Sequence, residues 1–115
     1  MDPKLSSTAQ RLVQDASNEV LISPASYWEI AIKASLGKWK LNQSFEDLMS
    51  LCLDQYGFQI LPILPRHAPR LISLPFPPKH NDPFDRLLVA QALVEGIPIL
   101  SADTKLDAYP MARVW

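Results

Sequence analysis

Apolar residues along this chain follow two patterns, which predict helices alternating with short strands. Four apolar runs do not alternate with polar residues and are typical of buried strands: NEVLIS, FQILPI, IPIL and ARVW. Elsewhere the apolar residues recur about every 3.6 positions, as on one face of a helix. That spacing predicts helices in KLSSTAQRLVQDAS, SPASYWEIAIKASLGK, SFEDLMSLCLDQYG and DPFDRLLVAQALVEG, with shorter helical turns over 66–73 and in TKLDAY.

Capping residues support two of these helices. Ser23 and Asp82 each precede a proline that suits the first helical position. Gly37 and Gly96 suit the ends of the same two helices. The first of the two helices is expected to bury one stripe, formed by Trp28, Ala31, Ile32 and Leu36.

Helices that alternate with such strands predict an α/β fold whose parallel sheet is covered on both faces. The chain has 115 residues, of which 48% are hydrophobic and 20% charged, so residues 1–115 are expected to form a single domain. A sheet of this kind normally begins with a strand, whereas this chain begins with a helix.

Charge and cysteine content narrow the possible functions. With 11 basic and 12 acidic residues, the chain lacks the basic excess of strong nucleic-acid binders, so any contact with RNA must be local. The lone Cys52 cannot form an internal disulfide and is predicted to be a small buried residue. No apolar run approaches the length of a membrane span, and no signal peptide is visible, so we expect a cytoplasmic protein.

Three carboxylates follow predicted strands. Glu29 lies on the helix after NEVLIS, Asp103 comes directly after IPIL, and Asp85 lies in the first turn of the helix that Asp82 caps. The carboxyl ends of parallel strands meet at one edge of a sheet, which predicts that these three acids converge.

Each acid also has a structural interpretation. Glu29 can close a capping box with Ser26 or pair with Lys33, Asp85 suits the positive end of a helix, and Asp103 suits a turn. Two like charges about 4 Å apart repel by about 4 kcal/mol at an effective dielectric of about 20. Convergence of the three would therefore favour a divalent cation, and carboxylate oxygens select Mg²⁺ or Mn²⁺. Such an ion can activate water and bind a phosphodiester.

At these positions the sequence resembles a known family. SPASYWEIAIKASLGKWKL, NDPFDRLLVAQALVEGIPILSAD and LDAYPMARVW are similar to segments of PIN-domain proteins of the VapC toxin type, in the same order along the chain. The resemblance implies a three-layer α/β/α sandwich around a central parallel sheet. It also implies a Mg²⁺- or Mn²⁺-dependent endoribonuclease that forms a homodimer and is neutralised by a small antitoxin.

The family's site is a quartet of acids, and by motif three of them match Glu29, Asp85 and Asp103. The resemblance therefore implies that these three are the catalytic and metal-binding residues. Ser101 matches a small hydroxyl residue beside the metal, and Asp82 is assigned a supporting role as a helix cap.

The resemblance departs from the family at the start of the chain. Family members open with a buried strand whose aspartate is the first of the quartet, and here MDPKLSS occupies the segment after that strand. Asp2 is not expected to replace the missing ligand. We therefore expect residues 1–115 alone to be poorly stable and weakly active or inactive. A start codon assigned too late and a true gene remnant both explain the departure.

Two hypotheses from different classes follow. The first is a metal-dependent ribonuclease toxin, and the second is an inactive PIN remnant that binds an antitoxin or another partner. A phospho-receiver domain is disfavoured, because the acidic pair after its first strand and its central aspartate are not visible. The RNA target and the antitoxin's identity are not encoded in any motif.

Other polar residues carry weaker expectations. His67 and His80 are predicted at the surface or in loops, and Asp107 at the rim of the site. Arg86 lies beside Asp85 in the sequence, where pairing with an acid of the site is a further alternative to solvated charge. Ordinary solvated charge is the first expectation for five basic residues, and a local positive rim for a phosphate backbone is the alternative. These are Lys33, Lys38, Lys40, Lys79 and Arg86.

Overall fold

A computed structural model describes residues 6–78 and 82–115. Every predicted element is present, although the strands are shorter than their apolar runs. No helix within these ranges is long and apolar enough to cross a bilayer. The α-helices are α1 (Ser7–Gln14), α2 (Pro24–Ser35), α3 (Phe45–Ser50), α4 (Ala68–Ile72) and α5 (Pro83–Glu95); the strands are β1 (Leu21–Ile22), β2 (Gln59–Ile60), β3 (Ile99–Leu100) and β4 (Arg113–Val114). A π-helical turn (Leu51–Gln55) continues α3, and 3₁₀ helices cover Pro65–His67 and Thr104–Ala108.

The caps of α5 form as predicted. One oxygen of Asp82 accepts hydrogen bonds from the Phe84 N–H at 2.8 Å and the Asp85 N–H at 3.2 Å. At the other end, Gly96 adopts φ 69°, a left-handed conformation that glycine reaches without a Cβ clash. The sequence therefore defines both ends of this helix.

The backbone divides into two compact units, the first comprising Met1–Asn18 with Ile63–Trp115 and the second Glu19–Pro62. The prediction of a single PIN-like domain stays a prediction.

In the first unit, one face of α5 is almost fully buried and packs with β3, the last 3₁₀ helix and the end of α4. The buried apolar residues of this core are Leu74, Val89, Ala90, Ala92, Ile99, Leu106 and Tyr109.

The strands pair in parallel, as the unalternating apolar runs predict. In the second unit β1 pairs with β2, with Leu21 opposite Gln59. In the first unit β3 pairs with β4, with Ile99 opposite Arg113. The described strands thus form two separate two-stranded sheets, and the single central sheet is not seen among them. The α/β class and the parallel direction are confirmed.

The stripe predicted to be buried on α2 is exposed. Trp28, Ile32 and Leu36 are 58%, 42% and 62% exposed, and only Ala31 is half-buried. A helical period of apolar residues shows that a face is apolar but does not supply the element that covers it. Cys52, also predicted to be buried, is half-buried, and partial burial raises the pKa of its thiol.

Arg86 is buried in the first unit, which corrects its interpretation as a solvated charge, a residue of the site's rim or a partner of its acids. Its guanidinium donates to the carbonyl oxygens of Pro75 at 2.6 Å, Leu71 at 3.4 Å and Leu74 at 3.4 Å. The guanidinium carbon also lies 3.9 Å from the ring centre of Phe76. Arg86 therefore joins the start of α5 to the carbonyls at the end of α4.

Arg86→Met should lower the free energy of unfolding by about 2–4 kcal/mol, because it removes the guanidinium donor from the buried Leu74 carbonyl and the part-buried contact to the Pro75 carbonyl. A buried acceptor left without a donor costs about 1–3 kcal/mol. Urea denaturation measures this change. Arg66→Met is the control: Arg66 is 58% exposed and pairs with Glu95, so its loss should cost less than about 1 kcal/mol. Equal effects of the two substitutions would contradict the anchoring role.

Candidate functional site

Asp103 begins the 3₁₀ helix that follows β3. Its Oδ1 accepts a hydrogen bond from the Lys105 N–H at 3.0 Å, and its own N–H donates to Ser101 Oγ at 3.1 Å. The role in a turn predicted for Asp103 is therefore confirmed. No described residue donates a hydrogen bond to Oδ2 of this exposed side chain, so one oxygen is available to a ligand.

Ser101 occupies the junction between β3 and this turn. Its N–H donates to the Val114 carbonyl at 3.1 Å, which continues the β3–β4 ladder by one residue. Its hydroxyl accepts from the Asp103 N–H. The serine thus connects the sheet to the candidate ligand, and its expected place beside a metal stays a prediction.

Asp85 is half-buried in the first turn of α5. Its backbone N–H is held by Asp82, whose carboxylate is committed to the helix cap. Because the middle of α5 is anchored in the core, the position of the Asp85 backbone is fixed by packing as well as by the cap. The capping role predicted for Asp82 is confirmed.

Glu29 lies on α2, in the second unit. It is 23% exposed and forms an ion pair with Lys33 at 3.0 Å, one of its two structural alternatives. The other alternative is wrong, because Ser23, not Ser26, caps α2 by accepting from the Ala25 N–H at 3.0 Å. The pairing with Lys33 leaves the predicted metal-binding role of Glu29 a prediction.

An arginine that sequence reasoning missed lies beside Asp103. Arg113 on β4 binds Asp107 through Nε at 2.8 Å and Nη2 at 3.2 Å, and its Nη1 donates to the Ser101 carbonyl at 3.0 Å. The Asp107 hydrogen bond raises the pKa of Arg113, and the charges of Asp107 and Asp103 act in the same direction. The only signal in the sequence was a basic residue in an otherwise apolar closing strand.

His67 was predicted at the surface or in a loop, and this is wrong, because it is buried and ends the 3₁₀ helix Pro65–His67. It is 3% exposed, its Nδ1 accepts from the Leu64 N–H at 2.9 Å, and its Nε2 lies 2.9 Å from a Glu95 oxygen. Since Nδ1 accepts a hydrogen bond, the ring proton is on Nε2. Both ring nitrogens are occupied, so His67 is a structural link between the chain before α4 and the end of α5.

The expectations for Asp2, Lys79 and His80 fall on residues outside the described ranges.

A comparison with family models identifies the chain's relatives. The model described as "PIN domain" matches residues 2–111. The chain belongs to the PIN domain family. PIN domains are generally nucleases and usually bind divalent metals, so membership supports a nuclease, and more broadly a hydrolase, role. The chain matches no curated protein and no solved structure.

The metal expected of a PIN domain can be tested against the donors present. Carboxylate oxygens are the ligands that Mg²⁺ and Mn²⁺ prefer, and Asp103 has an oxygen without a hydrogen bond. Within either unit, no three His, Cys, Asp or Glu side chains of the described residues are grouped to hold a metal ion. The donor chemistry therefore fits, whereas the convergence of the three acids stays a prediction.

Asp107→Asn should lower the stability of this PIN domain at neutral pH but not in acid. Hydrogen bonds from Arg113 hold the pKa of Asp107 below its ordinary value. Ionised Asp107 therefore stabilises the folded state above the unfolded-state pKa of about 3.9, and this contribution is lost as the pH falls through the lower folded-state pKa. Urea denaturation of both proteins across this pH range measures the effect. A destabilisation that persisted in strong acid would contradict it.

Proposed function

We propose that this PIN domain is a Mg²⁺- or Mn²⁺-dependent endoribonuclease of the VapC-like toxin type, neutralised by a small antitoxin and acting as a homodimer. The observation that carries the proposal is the family match over residues 2–111, together with acids at three motif positions. A near-neutral chain fits this function because the metal, rather than a basic surface, would bind the phosphodiester.

In this proposal Glu29, Asp85 and Asp103 hold the metal. When bound, the ion would supply an activated water and stabilise negative charge on the phosphodiester. The chain itself would hold the residues that carry the carboxylate ligands in fixed positions. Ser101 fixes the backbone of Asp103 while leaving one carboxylate oxygen without a hydrogen bond, and the α5 cap holds the backbone of Asp85.

The alternative is an inactive PIN domain that binds an antitoxin or another partner. The exposed stripe of Trp28, Ile32 and Leu36 on α2 favours it, since contiguous apolar surface is typical of protein-binding sites. The Glu29–Lys33 ion pair also gives this acid a role without a metal. Both functions are compatible with membership of the family, so cleavage has to be measured directly.

Three isosteric substitutions test the nuclease: Glu29→Gln, Asp85→Asn and Asp103→Asn. Each should lower Mn²⁺-dependent cleavage of single-stranded RNA by about 100-fold or more, because loss of a ligand should exceed the roughly 10–100-fold cost of losing an outer-sphere partner. The control is Glu46→Gln, which removes an exposed carboxylate from the first turn of α3 and should leave the rate unchanged.

Retained cleavage in all three variants would contradict the proposed site. If the native chain binds an antitoxin or another partner but cleaves no RNA, the binding function is favoured. The same assay on a chain extended by an N-terminal strand ending in aspartate tests the resemblance to the VapC type. That resemblance predicts higher activity for the extended chain, and equal activity would count against it.

A further inference from the structure

The segment that carries Asp103 is held by one side chain from a neighbouring strand. Arg113 contacts the segment at its start, through the Ser101 carbonyl at 3.0 Å, and near its end, through both oxygens of Asp107. Ser101 in turn accepts from the Asp103 N–H. The five residues from Ala102 to Leu106 thus lie inside a loop that Arg113 closes.

The geometry differs from that of an ordinary surface ion pair. The Arg113 side chain is only 19% exposed, and it makes two parallel bonds to one carboxylate and a third to a backbone oxygen. A bidentate arginine–carboxylate contact fixes orientation as well as distance, which a lysine or a monodentate pair does not. The Asp107 side chain itself is 55% exposed, so these bonds, rather than burial, fix its orientation.

From this arrangement we infer that Arg113 is a positioning residue for Asp103. By tying Ser101 to Asp107, it sets the turn in which one Asp103 oxygen is occupied by the Lys105 N–H and the other remains available. This inference rests on the proposed function, because it assigns Arg113 a role toward the metal that Asp103 would bind. Arg113 itself does not touch the metal in this account.

Simple electrostatics predicts the opposite effect, which makes the inference testable. The positive charge of Arg113 lies close enough to Asp103 for the two to influence each other, so it would repel a cation bound there. If charge alone mattered, its removal would strengthen metal binding. If positioning matters, removal of Arg113 frees the turn and weakens binding.

The experiment measures Mn²⁺ binding by isothermal titration calorimetry for the native chain, Arg113→Gln, Arg113→Lys and the control Arg66→Lys. Arg113→Gln should raise the Kd about tenfold, in the range found when outer-sphere partners are removed. Arg113→Lys keeps the positive charge but cannot make the bidentate contact with Asp107, so it should also raise the Kd for Mn²⁺. Arg66→Lys alters an exposed arginine pair with Glu95 and should not.

A second measurement uses the metal-free protein. Hydrogen exchange of the Lys105 amide, which donates to Asp103, should be faster in both Arg113 variants, while amides in the middle of α5 keep their native protection. Faster exchange at Lys105 with unchanged protection in α5 would indicate a local loosening of the Asp103 turn, whereas loss of protection in both would indicate general unfolding.

An unchanged or lower Kd in Arg113→Gln overturns the inference, and so does an unchanged Lys105 exchange rate. Native protein that binds no Mn²⁺ overturns the proposed function and the inference with it. Native protein that binds Mn²⁺ as tightly as its Arg113 variants overturns the inference alone.

Discussion

Burial of one face of α5 is the constraint on which the first unit depends. Val89 and Ala90 in the middle of this helix are almost completely inaccessible, and the apolar core forms around them. Arg86 extends the constraint to the start of the helix by giving the carbonyls at the end of α4 a common donor. A buried guanidinium is tolerable here because carbonyl oxygens and two aromatic rings replace its lost water. As a result, Asp82 and Asp85 occupy a helix end that cannot shift without disturbing the core.

The candidate acids also form local contacts that stabilise the fold. These contacts would affect the charge balance of a metal site. Asp103 uses one oxygen to begin a 3₁₀ helix, and Glu29 pairs with a lysine one turn away. Such contacts reduce the repulsion that several carboxylates would otherwise suffer when no cation is bound. With one oxygen bonded to the Lys105 N–H, Asp103 would be held in place and still have its other oxygen to offer to a metal ion.

Local chemistry made much of the fold predictable from the sequence. Proline after Ser23 and Asp82, and glycine after the last apolar residue, define α2 and α5 because they act on the adjacent backbone. Strand direction was predictable because unalternating apolar runs are typical of parallel sheets. The predictions that failed concerned residues whose burial or contacts depend on partners far along the chain. The apolar stripe of α2 did not indicate that it would be exposed, and nothing near His67 indicated that Glu95, far along the chain, would bind it.

Around the candidate site, too, local features were predictable and distant contacts were not. The proline after Asp82 made its capping role predictable, and the turn at Asp103 followed from its own side chain. Arg86 was assigned to the wrong surroundings because its partners are backbone carbonyls, which carry no sequence identity. Arg113 was missed because its contact with Asp107 depends on the pairing of β3 with β4.

The most direct test of the whole account is a crystal structure of the protein grown with Mn²⁺, with the metal located by its anomalous scattering. We predict one Mn²⁺ ion bound by carboxylate oxygens of Glu29, Asp85 and Asp103. A fully loaded crystal in which Mn²⁺ binds elsewhere, with these three side chains too far apart to share an ion, would contradict it.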